Sequence, residues 1–407
     1  MGKKKFTFID LFAGVGGFHQ ALSSLGGKCV FASEIDEECK KTYEKQFNME
    51  VHGDINKCID EIPKFDVLCA GFPCQTFSKA GNQEGFEDKE KGHLFYKIID
   101  ILNRHPECKF IILENVRNLA DNEEFWKVIQ RRLSKCNFYI TKNPIILSPD
   151  QFGIPQNRER VYILGINKKI CNREIKRRKW ISYEDLQLRQ YKRICLDGEA
   201  FKILNYNKGN IEYKISAEER KIIGAWEEFK RTIIPNEQIG SPIWLDYFGI
   251  AENKYNKKLN RNAPEWKKLF VSRNRELYKN NKTKINKWYR KYKKYLTKSV
   301  YRKFEWNCGS KYYSFKNCII QFRQSGLRIK RADAFPSLVA IVNTPIIWDN
   351  YLDIYRRISI KEAAKLQSFD SKYKFSSSKQ QTYKQLGNSV NVYLINSIAK
   401  QLFALSK

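Results

Sequence analysis

Between residues 6 and 167, short apolar runs at 6–12, 28–33, 65–70, 110–114 and 161–166 alternate with amphipathic stretches such as 94–103 and 123–135. That alternation constrains the fold most, because apolar strands linked by helix-period segments bury both their faces only in a sheet covered by its own crossovers. It predicts an α/β chain with a mostly parallel, doubly wound sheet. In such sheets ligands gather at the carboxyl ends of the strands. Here those ends carry Gly14, Gly16 and Gly17, then Glu34, Asp54, the segment 71–78, and Glu114-Asn115.

After Lys168 the apolar periodicity weakens and charge takes over. The chain holds 75 Lys+Arg against 44 Asp+Glu, a formal net charge of +31. An AT-rich genome could inflate lysine everywhere, but it would not place 19 Lys/Arg against only Glu265 and Glu276 in the 50 residues 254–303. Interleaved with Trp266, Trp288, Tyr292 and Tyr301, that segment reads as part of a nucleic-acid face, with a helix over 284–296. The bland alternative is a solvated basic helix anchored by its aromatic stripe. Strand-like order returns at 320–322 and 337–341, and a helix fits 359–367, with Ser359 and Glu362 spaced as a capping box. An apolar helix over 392–402 then packs back on the first domain, leaving the basic module inserted between two parts of one sheet domain.

No early apolar h-region and no long apolar run is present, so a soluble, cytoplasmic protein without a membrane partner is expected. Eleven cysteines, without CxxC pairs or histidines at ligand spacing, suggest neither a disulfide framework nor a metal site. Most should be small buried hydrophobes.

Four blocks carry chemistry. In Asp10-Leu11-Phe12-Ala13-Gly14-Val15-Gly16-Gly17-Phe18, glycines let the backbone approach a ligand, and Glu34 can take two ribose hydroxyls. A dinucleotide site fits this block too, although the full GxGxxG spacing is absent. In Ala70-Gly71-Phe72-Pro73-Cys74-Gln75-Thr76-Phe77-Ser78, Cys74 follows a strand in a loop stiffened by proline, which suits a nucleophile better than Cys69 inside the strand. Glu114 ends the apolar run 110–113, where poor solvation favours its protonated form; the alternative is a helix-start cap. In Pro155-Gln156-Asn157-Arg158-Glu159-Arg160, two arginines at alternate positions can clamp an anion or a polarised carbonyl.

These blocks, in this order and with Gly387-Asn388-Ser389-Val390, resemble the ordered motifs of the bacterial DNA (cytosine-5)-methyltransferase family of restriction-modification enzymes. The resemblance covers 6–167 and about 326–402. It implies a class I S-adenosylmethionine-dependent, Rossmann-like catalytic domain over 1–175, completed by 383–407. It further implies a smaller inserted target-recognition domain over 176–352 and a hinge over 353–382.

Carried over, it puts Phe12, Gly14, Gly16, Glu34, Asp54, Ile55 and Asn388 on S-adenosylmethionine. Ile35, where the family often has tryptophan, and Pro73, which also shapes the cytosine pocket, join this set. Cys74, Glu114, Arg158 and Arg160 fall on the cytosine: Cys74 adds to C6, Glu114 serves N3, Arg158 the O2 side, and Arg160 holds Glu114. Gln75 and Ser78 contact DNA from a mobile loop at about 77–91, and Arg323, Arg328 and Arg331 are candidate base contacts. The expected substrate is double-stranded DNA with a flipped cytosine, the expected state a monomer. A cognate restriction endonuclease is an optional partner, without required physical contact, and no metal is expected. Two rivals remain: a tRNA-methylating branch of the same fold, disfavoured by Phe72 where a second proline is typical, and a catalytically inactive DNA-binding regulator.

Overall fold

The apolar runs become strands because each can be buried on both faces. The computed structural model describes residues 5–72, 93–190, 198–235, 241–248, 263–310, 314–339, 344–375 and 378–406. The first strands are β1 (Phe6–Leu11), β2 (Gly27–Ser33), β3 (Val67–Ala70), β4 (Phe110–Val116), β5 (Phe138–Ile140), β6 (Ile145–Leu147), β7 (Gln156–Asn157) and β8 (Arg160–Asn167). All but β7 join one seven-stranded sheet of order β2-β1-β3-β4-β8-β5, with β6 also on β8.

Pairings β1–β2, β1–β3 and β3–β4 are parallel. The sheet reverses at β8, which runs antiparallel to β4, β5 and β6. In the parallel half, β3 is buried along its whole length and β4 in all but its last residue, hence their continuous rather than alternating apolar sequence. Strands β5 and β6, at three residues each, are too short to stand out as apolar runs.

Two compact units emerge: Met1–Ile194 with Pro336–Val342 and Ala363–Lys407, and Cys195–Phe335 with Asn343–Glu362. In the first unit, helices Glu37–Phe47, His93–Arg104 and Glu123–Lys135 flank the strands, and Asp36 and Asn122 cap the first and the third with side-chain oxygens. Ile9, Phe31, Leu68, Phe95, Ile111 and Leu133 form its core. The closing helix Val392–Ala404 packs here, its Phe403 ring 5.0 Å from Phe6 and 4.7 Å from Phe110. A bridge between Thr141 and Ile181 ties the chain beyond 175 to this same unit.

The second unit contains β9 (Ile243–Trp244), β10 (Lys303–Asn307), β11 (Cys318–Arg323) and β12 (Gly326–Arg331). After β13 (Phe335–Pro336) come β14 (Ile346–Asp349) and β15 (Ile354–Arg357). Its six-stranded sheet has the order β15-β14-β11-β12-β10-β9. The strand expected at 337–341 does not form over 337–339, and 340–341 lie outside the described residues.

The helix expected at 284–296 is longer and earlier, Glu265–Tyr292, with a break at Asn281 (φ −124°, ψ 21°). Of its aromatic residues Trp288 is core, Tyr278, Tyr289 and Tyr292 pack partly buried against that core, and Trp266 is exposed; Trp226 of helix Ala217–Thr232 lies 5.3 Å from Trp288 and stacks on Phe304 at 4.8 Å. The Ser359–Glu362 capping box forms as expected. Glu362 also pairs with the fully buried Arg356, which bonds Asp349 as well. Among the described residues no helix is long and apolar enough to cross a membrane, and no group of three metal-ligating side chains occurs.

Candidate active site

Parallel pairing brings the carboxyl ends of β1, β2, β3 and β4 to one edge of the sheet, and the antiparallel β8 begins at that same edge. Register makes this concrete: Val116 faces Arg160 and Glu114 faces Tyr162. Residues 114, 116, 160 and 162 therefore project from one face, with Glu114 and Arg160 diagonal neighbours. Arg160 Nε lies 3.1 Å from Glu114 Oε1, and both side chains are largely buried. Burial pushes the Glu114 carboxyl above its usual range, and the guanidiniums of Arg160 and Arg158 pull it back only in part.

The root of the 73–78 segment lies against this carboxylate. A Cβ added to Gly71 would sit 3.8 Å from Glu114 Oε2. Asn115, next in β4, donates from Nδ2 to the carbonyl of Phe72 at 3.2 Å, fixing the backbone just before Pro73. In the sequence Asn115 is marked only by its place at a strand end. Pro73, Cys74, Gln75, Ser78 and the loop at 77–91 lie outside the described residues. All nine described cysteines are buried, Cys69 completely, and burial drives its thiol well above the ordinary value. Such thiols are inert packing groups.

Arg158 was expected to touch the cytosine, but the structure engages it elsewhere. Its Nη1 donates to Ser337 Oγ (3.1 Å) and the Leu338 carbonyl (2.8 Å), and its Nη2 to the carbonyls of Gly387 (2.9 Å) and Ser389 (2.8 Å). The side chain is 3% exposed. Strand alternation does give Arg158 and Arg160 a common face, but Arg158 precedes β8 and turns toward the backbone of the 387–389 turn. Its own amide is held by Ser148 Oγ at 2.9 Å. Arg160 bonds Glu114 and, through Nη1, the Glu159 carbonyl at 2.8 Å.

The glycine turn and the second-strand acid meet directly. Gly14 N–H donates to Glu34 Oε2 at 2.7 Å, and the amides of Ile35 and Asp36 donate to Oε1, each at 2.9 Å. Phe12 and Gly14 hold left-handed backbone (φ 55° and 54°), and a Cβ on Gly14 would meet nothing within 4 Å. Open space beside a carboxylate, with Ile35 73% exposed next to it, fits a nucleoside. Gly16 is different: at φ 79°, its added Cβ would lie 2.3 Å from the Phe47 ring, so it is a packing glycine.

Asp54 caps the turn Ile55–Cys58 with Ile55 buried, and His52, bonded to Ala32, sets that segment beside β2. Asn388 ends helix Lys379–Asn388 and is exposed, one residue before Ser389, whose neighbour Val390 abuts Gly17.

Behind the turn lies a buried polar cluster that no sequence signal revealed. Asp10, which burial drives toward its neutral form, accepts from Tyr43 O–H at 3.4 Å. Tyr43 also lies 2.8 Å from His19 Nδ1, and burial lowers the pKa of His19 to about 4.

In the second unit, Arg323, Arg328 and Arg331 lie on the β11–β12 hairpin. Arg328 is opposite Gln321 and beside Glu305, 3.6 Å from its carboxylate, on the sheet face away from Leu327 and Ile329.

The sequence of this chain matches the family described as C-5 cytosine-specific DNA methylase over residues 6–404. It is 49% identical over 173 residues to the Type II methyltransferase M.HpaII of Haemophilus parainfluenzae, which covers 41% of this chain and 47% of that protein. The chain thus spans about half the length of that relative. It is 30% identical to the Type II methyltransferase M.BanI of Aneurinibacillus aneurinilyticus over 98% of this chain and 96% of that one. The fold is shared with the S. pombe Dnmt2 methyltransferase, at a TM-score of 0.57 and 16% identity, covering 98% of both chains.

Proposed function

The chain belongs to the C-5 cytosine-specific DNA methylase family, and from that premise we propose that it methylates C5 of a cytosine in double-stranded DNA, using S-adenosylmethionine and Cys74 as nucleophile. The observation that carries this reading is the buried Glu114–Arg160 pair set against the root of the segment that leads to Cys74.

Cytosine C5 is a poor nucleophile. Addition of the Cys74 thiolate to C6 moves the C5–C6 electron pair so that C5 becomes an enamine carbon. The addition is uphill unless N3 takes a proton as charge develops, and Glu114, whose carboxyl burial biases toward the protonated form, is the group to supply it. Because the terminal nitrogens of Arg158 are engaged by four protein acceptors, the O2 side falls to Arg160, which also keeps Glu114 oriented. When bound, S-adenosylmethionine supplies an electrophilic methyl group. Phe12, Gly14, Glu34, Ile35, Asp54, Ile55 and Asn388 would hold it, with Arg158 positioning the turn that carries Asn388. After methylation, loss of the C5 proton and departure of the Cys74 thiolate restore the aromatic ring.

Because C6 is inaccessible in a stacked duplex, the cytosine must be flipped out, at a cost of a few kcal/mol offset by contacts to the remaining DNA. The unit formed by Cys195–Phe335 and Asn343–Glu362 takes the target-recognition role, with Arg323, Arg328 and Arg331 as base contacts and Gln75 and Ser78 as further DNA contacts. A cytoplasmic monomer protecting host DNA in a restriction-modification system completes the proposal.

Incubating the protein with labelled S-adenosylmethionine and either duplex DNA or tRNA tests it. Label in the duplex, mapped to one cytosine context by bisulfite sequencing, is the expected result. Label in tRNA alone would select the RNA-methylating rival, and label in neither would select the inactive regulator.

A further inference from the structure

The long basic helix poses a question that the reaction leaves unanswered. Glu265–Tyr292 carries ten Lys/Arg against Glu265 and Glu276, and it is not a free amphipathic helix. Val271, Asn274, Ile285 and Trp288 are buried. Asn274 bonds the Trp244 amide (2.7 Å) and the Pro242 carbonyl (3.0 Å), while Trp288 Nε1 donates to Ala225 at 2.7 Å. Both halves of the helix, on either side of the break at Asn281, are thus pinned to the second unit by one face.

Between Arg273 and Arg290 most exposed positions are cationic, and Glu276 is the one exposed acid among them. Arg273, Lys279, Lys282, Lys284, Lys287 and Arg290 are exposed. Among the described residues none of the six makes an ion pair, whereas Lys268 and Lys291, on the same helix, pair with Glu265 and Glu228. At about 1.5 Å rise per residue, the row from Arg273 to Arg290 spans at most about 25 Å. A duplex presents one negative charge per about 1.7 Å of its axis. A membrane surface would need the apolar stripe of the helix, which the core of this unit already occupies.

We infer that the outer face of helix Glu265–Tyr292 is a sequence-independent binding surface for the phosphate backbone of duplex DNA, separate from the base-reading hairpin. The inference rests on the reading of this chain as a DNA enzyme. The helix raises affinity through counterion release, so its contribution scales with salt and leaves the preferred sequence and the turnover rate alone.

The test uses the full-length chain with all six cations changed to glutamine, all exposed positions whose replacement leaves the buried face intact. Duplex binding is followed by fluorescence anisotropy as a function of KCl concentration, and methyl transfer is measured at saturating DNA. The expected variant binds at least tenfold more weakly at low salt, and its log K against log[salt] slope is shallower by about two or more, at about 0.9 per lost phosphate contact. Its kcat and methylated context match wild type. An unchanged slope and affinity would overturn the inference while leaving the methylation proposal intact. A steep wild-type slope flattened in the variant, with no DNA methylation by either protein, would sustain the surface and sink the activity. Preferential loss of binding to structured RNA rather than to duplex DNA would overturn the choice of partner.

Discussion

Arginine and lysine are used in opposite ways at two places, the sheet edge of the first unit and the long helix of the second. At the sheet edge of the first unit, Arg158 is 3% exposed and its terminal nitrogens meet four named acceptors, while Arg160 is held on Glu114. On the long helix of the second unit, six cations stand in solvent without an ion pair among the described residues. A guanidinium fixed in a dry site sets geometry and proton affinity, because its field is little screened there. A cation on a flexible exposed stem sets affinity, and salt screens it. Changes in the first region should therefore alter turnover, cofactor use and stability at any ionic strength. Changes in the second should alter only salt-dependent binding.

Four substitutions sharpen or break that contrast. The largest effect is expected from Cys74→Ala: methyl incorporation should fall by about a thousandfold or more, since the proposed C6 adduct needs its thiolate, while duplex affinity in a gel-shift titration is retained. Joint loss of binding would place Cys74 in DNA recognition instead.

Next comes Glu114→Gln, with kcat expected to drop about a hundredfold or more. Its pH profile carries a sign. Because burial raises the carboxyl's pKa, the protonated acid is lost as pH rises through that elevated value, so wild-type kcat should decline on the alkaline side of it. Glutamine cannot titrate and should erase that limb.

Arg158→Lys follows. An ammonium has three N–H donors for four acceptors, and each buried acceptor left stranded costs about 1–3 kcal/mol, so urea unfolding should register a loss of at least about 1 kcal/mol. The KM for S-adenosylmethionine should rise as the 387–389 turn loosens. A selective kcat defect with normal KM and stability would return Arg158 to the cytosine.

The smallest effect belongs to Lys282→Gln, which should flatten the salt slope of DNA binding by about one contact's worth, about 0.9, without a measurable change in kcat at saturating DNA. A kcat change there would erase the division between fixed and free charge.

How much of this could be read beforehand differed between the units. The five apolar runs mark β1, β2, β3, β4 and β8, because strands covered on both faces are apolar along their length, whereas the two- and three-residue strands β5, β6 and β7 leave no such run. The order of the glycine turn, Glu34, Cys74 and Glu114 followed from the strand ends. The capping box at Ser359 and Glu362 and the amphipathic helix over 123–135 were equally local.

Roles that depend on strand direction and long-range contacts were not legible. The reversal of β8 gives Glu114 to Arg160, and the 387–389 turn, 229 residues from Arg158 to its first acceptor there, draws that side chain away. Nor could spacing show that Trp288 of the basic stretch serves the core, because the packing partners Trp226 and Phe229 lie some sixty residues upstream. Local sequence thus determined which groups exist and in what order along the sheet edge. Tertiary structure decided which guanidinium meets which carboxylate or carbonyl, since that choice is made by register and burial, which no short segment encodes on its own.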